Sequence, residues 1–166
     1  TVNPILLFTL DPYRQLCFGS TYTVNAPSGA TSYLWTGPNS FTSSNQMLYL
    51  PSLQPLLAGT YSLEVTLGPC KTYGTTKVDV LTPISFTRTP GNKVICRGDS
   101  VALTAGATGG SHNYAYVWNP QQWLGSPTGS VQYGHPENTT IYNLTAFDIA
   151  CPFYTIASSF TITVNQ

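Results

Sequence analysis

Charge is what this chain has least of. Charged residues make up 7% of it, six Lys and Arg against six Asp and Glu, so the formal net charge is zero. A surface this neutral holds no basic field to draw nucleic acid or an anionic membrane, and no acidic cluster to cage a metal. The same scarcity removes most of the raw material of catalysis. Asp11, Glu64, Asp79, Asp99, Glu137 and Asp148 are scattered with no close pair, unlike the paired acids of a glycosidase. His112 and His135 are the only histidines, both in Gly- or Pro-flanked stretches, and no G-x-S-x-G elbow accompanies them. Asp148 and Glu137 fall well short of the oxygen ligands calcium wants, so they are read as structural carboxylates. The expectation is of no enzyme, no cofactor, no nucleic-acid partner and no membrane insertion. Long apolar runs are missing too: "PILLFTL", residues 4–10, is far too short to span a bilayer and follows no basic segment. If the chain is exported, its targeting segment has already been removed.

Room for helices is also missing. Fourteen Gly and 13 Pro, mixed with Ser, Thr and Asn, interrupt the chain, while 42% hydrophobic residues with 13% aromatics exclude a disordered one. Four cysteines, an even number beside Asn/Thr-rich turns and few Lys, suit an oxidising, extracellular compartment, and they lack the C-x-x-C spacing of a zinc site.

What the chain does have is one pattern twice. "CFGSTYTVNAPSGATSYLWTGP", "AGTYSLEVTLGPC" and "TTKVDVL" are followed, in the same order, by "CRGDSVALTAGATGGSHNYAYVWNP", "NTTIYNLTAFDIAC" and "SSFTITV". By subtraction, Cys17 and Cys96 are 79 apart, Trp35 and Trp118 83, Tyr61 and Tyr142 81, and Cys70 and Cys151 81. The period is near 80, which divides the chain into domains at 1–82 and 83–166.

Each copy parses into short strands alternating apolar and polar, among them "SYLWTG" and "YAYVWNP", "TYSLEVTL" and "IYNLTAFD". About seven such strands per copy predict an all-β chain of two tandem immunoglobulin-like antiparallel β-sandwiches. Trp35 and Trp118, in the third strand, are expected to fill the space between the sheets. Tyr61 and Tyr142, opening the sixth, are expected to be corner tyrosines whose hydroxyls tie loop to strand. Trp123, in the looser "NPQQWLGSP", is the candidate exposed ring and ligand contact.

The landmarks "C-x-G-x-x-x-x-V/L", "Y-x-W", "G-T-Y-S-L-E-V" and a late Cys resemble the immunoglobulin-like or PKD-like tandem repeats of secreted Bacteroidetes surface proteins, including gliding-motility adhesins. "WTGPNSF" and "YVWNP...TTIYNLTAFDIAC" are close to phrases that recur in those arrays, and the resemblance covers nearly the whole chain. It implies a spacer or adhesive module without catalysis, at the cell surface, with neighbouring repeats or subunits as partners. The function expected is a rigid stalk or fibre segment of an adhesin or filament. The alternative is a carbohydrate-binding or accessory region of a larger secreted enzyme, which would show Trp123 in line with Tyr133 or Tyr116 and would bind surface glycans.

The cysteines leave two pairings open. Cys17 with Cys70 and Cys96 with Cys151 gives each copy its own bridge. Yet each late Cys comes nine residues after its tyrosine, about 30 Å along a strand at about 3.3 Å per residue, whereas a bridge needs Cα atoms within about 7 Å. The other pairing joins Cys17 to Cys151 across the copies and leaves Cys70 and Cys96 to neighbouring repeats or subunits.

Other motifs are short. Arg97, Gly98 and Asp99 spell an adhesion tripeptide, but the matching "CFGS" of the first copy points to a turn into the second strand. Asp99, Ser100 and Val101 resemble the D-S/T-aliphatic O-glycosylation acceptor of Bacteroidetes exported proteins, which marks Ser100 as a possible glycan site. Asn138 and Asn143 match the N-glycosylation acceptor, which has meaning only in a eukaryotic secretory pathway. "PILLFTL" and "SSFTITVNQ" are expected to be the first and last strands, paired internally.

Overall fold

The computed structural model describes residues 7–166. Two compact units meet between Thr82 and Pro83. Among the described residues every regular element is a strand apart from two short 3-10 turns, Pro38–Ser40 and Pro55–Leu57.

In the first unit, strands β1 (Tyr13–Cys17), β7 (Cys70–Leu81), β6 (Gly59–Leu67), β3 (Ser32–Gly37) and β4 (Phe41–Ser43) form one sheet in that order. Strands β2 (Tyr22–Asn25) and β5 (Met47–Leu50) form the second layer. Alternation decides the core, since every second residue of a strand faces the same side. On β6 the inward set is Tyr61, Leu63 and Val65, which pack with Trp35, Leu48, Leu50 and Val78. Of the expected first strand "PILLFTL", Pro4–Leu6 lie outside the described residues. Leu7–Leu10 form no strand, although Phe8 and Leu10 pack against this core. Among the described residues the first strand is Tyr13–Cys17.

The second unit repeats the plan with two changes. Its main sheet runs β12 (Tyr114–Asn119), β14 (Thr140–Asp148), β15 (Thr155–Asn165), β9 (Lys93–Cys96). Strand β10 (Val101–Thr104) pairs with β13 (Val131–Gly134), and β8 (Ser85–Arg88) with β11 (Gly106–Thr108). The counterpart of β4 is absent among the described residues, replaced by the loop 120–130. Tyr142, Leu144 and Ala146 of β14 face inward with Trp118, Phe160 and Ile162.

Pairing is antiparallel with one exception in each unit. Strand β1 runs parallel to β7 and β9 parallel to β15, so in each unit the strand that ends in a cysteine lies against the last strand of that unit.

Both predicted core tryptophans are fully buried, at 0% exposure. Their indole N–H groups fare differently. That of Trp118 donates to the Gly129 carbonyl at 2.8 Å, within the loop 120–130. That of Trp35 is buried without a partner among the described residues. In the first unit the chain after Trp35 turns straight back into β4, whose backbone is committed to the ladder with β3.

The corner tyrosines diverge in the same way. Tyr61 donates to the Leu57 carbonyl at 2.9 Å, tying the 3-10 turn Pro55–Leu57 to β6 as expected. Tyr142 donates at 3.1 Å to the Gln122 carbonyl, twenty residues back in the loop after β12. No 3-10 turn precedes β14, so no local carbonyl is presented beneath the ring.

Candidate functional site: four cysteines at strand ends and turns

Cys17 is the last residue of β1, paired with Leu81, and Cys96 is the last residue of β9, paired with Asn165. The turns after them share two backbone hydrogen bonds. Ser20 N–H donates to the Cys17 carbonyl at 3.1 Å and Asp99 N–H to the Cys96 carbonyl at 3.1 Å. Phe18 N–H meets the Leu81 carbonyl, and Arg97 N–H the Asn165 carbonyl, each at 3.0 Å. Gly19 (φ 77°) and Gly98 (φ 91°) hold the left-handed position each turn requires.

The tripeptide is therefore part of this turn. The Asp99 carboxylate accepts the Cys96 N–H at 3.1 Å, and the Arg97 guanidinium reaches the Gln166 side chain at 3.3 Å. In the first copy the Ser20 hydroxyl donates to the Cys17 carbonyl at 2.6 Å. Ser100, the candidate glycan site, is exposed just before β10.

The other two cysteines also correspond. Cys70 and Cys151 each come three residues after the sixth-strand end, at Leu67 and Asp148. Cys70 opens β7 and is half-buried, whereas Cys151 is fully buried in the turn.

Their bonding states differ by position. Cys17 and Cys151 are disulfide-bonded, and Cys70 and Cys96 are free thiols. Neither copy holds a bridge of its own, so the pairings Cys17 with Cys70 and Cys96 with Cys151 are not formed. The strand geometry explains why: β6 carries Cys70 away from the end of the unit where β1 finishes.

Asp148, read from the sequence as a structural carboxylate, holds the turn that carries Cys151. It sits at 0% exposure, one step beyond Tyr142, Leu144 and Ala146 in the inward series of β14. One carboxylate oxygen accepts the Ser111 N–H at 2.7 Å and the Ser111 hydroxyl at 2.9 Å; the other accepts the Cys151 N–H at 2.8 Å. Burial pushes this carboxyl up, but the bonds from Ser111, Cys151 and Ala150 outweigh it and hold the group below the usual carboxylate range. Gly110 (φ 57°) makes the close approach possible, because a Cβ there would collide with the carboxylate.

The aromatics named for the carbohydrate-binding alternative differ in exposure. Trp123 is half-buried at φ 63°, Tyr116 is buried, and only Tyr133 is well exposed, at 63%. An open groove of about 300 Å³ beside β12, lined by Tyr114, Tyr116, Val117, Thr128 and Phe147, has no charged side chain. His112 and His135 are exposed, with the His112 ring 3.3 Å from the Tyr114 hydroxyl. Among the described residues no group of three or more His, Cys, Asp or Glu is placed to hold a metal ion, and no helix is long and apolar enough to cross a membrane.

No family model matches the chain, and no curated protein matches it in sequence. Solved structures share its fold. Immunoglobulin domains 1–4 of Sidekick-1 align over 95% of this chain and 48% of theirs, at 14% identity and TM-score 0.63. The I67–I69 fragment of titin aligns over 95% of this chain and 64% of its own, at 14% identity and TM-score 0.59. The two domains IG1 and IG2 of DIP-gamma align over 93% of this chain and 94% of theirs, at 16% identity and TM-score 0.57. With these the chain shares its architecture: all-β, two immunoglobulin-like sandwiches in tandem.

Proposed function

We propose that the chain is a non-enzymatic, extracellular structural and adhesive module, a stalk or fibre segment of a cell-surface adhesin or filament, with disulfides carrying load. The observation that carries this reading is the bonding state of the cysteines. Cys17 and Cys151 are bonded while Cys70 and Cys96 are free, and the link we propose is Cys17 to Cys151. Tension applied at the chain ends then crosses the disulfide and bypasses the residues between. Outside that loop, β1 and β15 run parallel to β7 and β9, so drawing an end strand along its axis loads the ladder bonds together and does not peel them singly.

Disulfides persist in oxidising compartments, which supports an extracellular setting. The fold is one that presents binding surfaces elsewhere: DIP-gamma was solved with Dpr11 bound, and the hemolin structure is described with implications for homophilic adhesion. The resemblance to Bacteroidetes repeats adds a surface array of the gliding-motility type as the setting, with a glycan on the exposed Ser100. The carbohydrate-binding alternative is disfavoured because its aromatic platform is half-buried at Trp123 and buried at Tyr116.

A peptide map without reductant, after alkylation of free thiols, tests the covalent path and the glycan together. The expected result is alkylated Cys70 and Cys96, a Cys17 peptide linked to a Cys151 peptide, and hexose-sized increments on the Ser100 peptide. A Cys17 peptide linked to Cys70 ends the load-path reading, and an unshifted Ser100 peptide ends the glycan.

A further inference from the structure

We propose that the outward face of the second unit's main sheet docks on the same face of a second copy of this chain. The inference deepens the adhesive reading, whose partner it names, and rests on it. The alternation that turns Tyr142, Leu144 and Ala146 into the core turns Ile141, Asn143 and Thr145 outward. Strand register sets these residues in rows. Asn119, Asn143 and Ser159 stand side by side across β12, β14 and β15. The next row on one side is Val117, Thr145 and Ala157, and on the other Ile141 stands beside Thr161. A polar row therefore lies between two rows that carry aliphatic groups.

No outward residue of β12, β14 or β15 is charged. Charge is scarce throughout the chain, so the useful comparison is the matching face of the first unit, which carries Glu64, Lys71, Lys77 and Asp79. The scaffold is the same, and only one face has been cleared of charge. Depletion of charge is the mark of an interface centre, and this face is open to solvent, with Ile141 61% and Val117 38% exposed. The chemistry of the face selects its partner. A charged surface docked here would lose water and meet no opposite charge. Asn and Ser side chains each donate and accept, so the central row can bond its own copy. A two-fold axis along the strands, passing over β14, lays row on row: Asn143 meets the partner's Asn143, and aliphatic groups meet aliphatic groups.

Area sets the strength. Strand β14 has nine residues, about 30 Å at about 3.3 Å each, and four strands about 4.8 Å apart span about 19 Å. Two such faces cover about 1,100 Å² together, at the low end for a specific contact, so the dissociation constant lies above about 1 μM.

Sedimentation equilibrium from about 1 μM to about 1 mM tests this, in a Cys70→Ser, Cys96→Ser background so that no free thiol joins copies. The expected result is a reversible monomer–dimer equilibrium. Asn143→Lys and Asn143→Glu, each setting like charges against each other, should each weaken it about tenfold or more. A one-to-one mixture of the two should restore the dimer, because opposite charges then meet, and misfolded variants could not do this. Ser62→Lys, at the matching position of the first unit, should leave the dimer unchanged. A chain that stays monomeric over the whole range overturns the proposal. So does an Asn143→Lys variant that dimerises as well as its parent, or a mixture that associates no better than its parts. A peptide map of the same samples without reductant keeps the two readings apart. With a Cys17 to Cys151 link and no dimer, the second copy is the wrong partner and the load path stands; with a dimer and no such link, the face stands and the load path falls.

Discussion

Replacing Asp148 with alanine lowers the melting temperature of the second unit by roughly 10 °C or more at neutral pH. The carboxylate is fully buried and accepts bonds from the Ser111 amide, the Ser111 hydroxyl and the Cys151 amide. Bonds to a buried ion each contribute about 1.5–3 kcal/mol, and the alanine leaves the donors unmatched. Asparagine rescues little, because its amide nitrogen would face donors whichever way it turned. The pH dependence has a definite sign. The folded carboxyl titrates below its unfolded counterpart, so its stabilisation is complete above the ordinary carboxylate range and fades as pH falls through that range toward the folded value. Thermal melts of wild type and variant should therefore differ most near pH 7 and converge below about pH 3. A constant gap across that range would show that Asp148 acts by packing alone.

Trp118 and Trp35 occupy matching core positions, and truncating either to alanine should cost about 3–5 kcal/mol. Phenylalanine separates them. Trp118→Phe loses ring volume and also the bond to the Gly129 carbonyl. Trp35→Phe loses the same volume but removes a buried N–H that has no partner among the described residues, which relieves a penalty of about 1–3 kcal/mol. Chemical denaturation should place Trp118→Phe below Trp35→Phe in stability by about 1–3 kcal/mol. Equal losses would mean that solvent already satisfies the Trp35 indole.

The fold was legible because its signals are local and repeat. Period-2 alternation marked β3, β6, β12 and β14, and the 80-residue spacing of Trp, Tyr and Cys aligned the two units. What escaped depends on contacts between distant segments. Asp148 is the plainest case: alternation from Tyr142 through Leu144 and Ala146 puts it on the core side, but nothing local reveals that Ser111 and the Cys151 turn will enclose it. Tyr142 follows the same logic, since its acceptor, Gln122, lies in a loop whose path no pattern encodes. Trp123 looked exposed because Gln, Pro and Gly surround it, yet the loop folds its ring partly inward. The cysteines were half legible. Spacing from the tyrosines argued against a bridge inside each copy, but the thiols' state came only with the structure.

Pulling single chains by their ends, with and without reductant, tests the central claim most directly. If Cys17 and Cys151 are joined, the 134 residues from one to the other (151 − 17) stay out of the load path. Oxidised chains should then extend only through the segments outside the loop, about 100 Å at about 3.3–3.6 Å per residue. Reductant should release roughly a further 450 Å. Full extension without reductant, or a Cys17→Ser variant that extends no farther than wild type, would contradict the account.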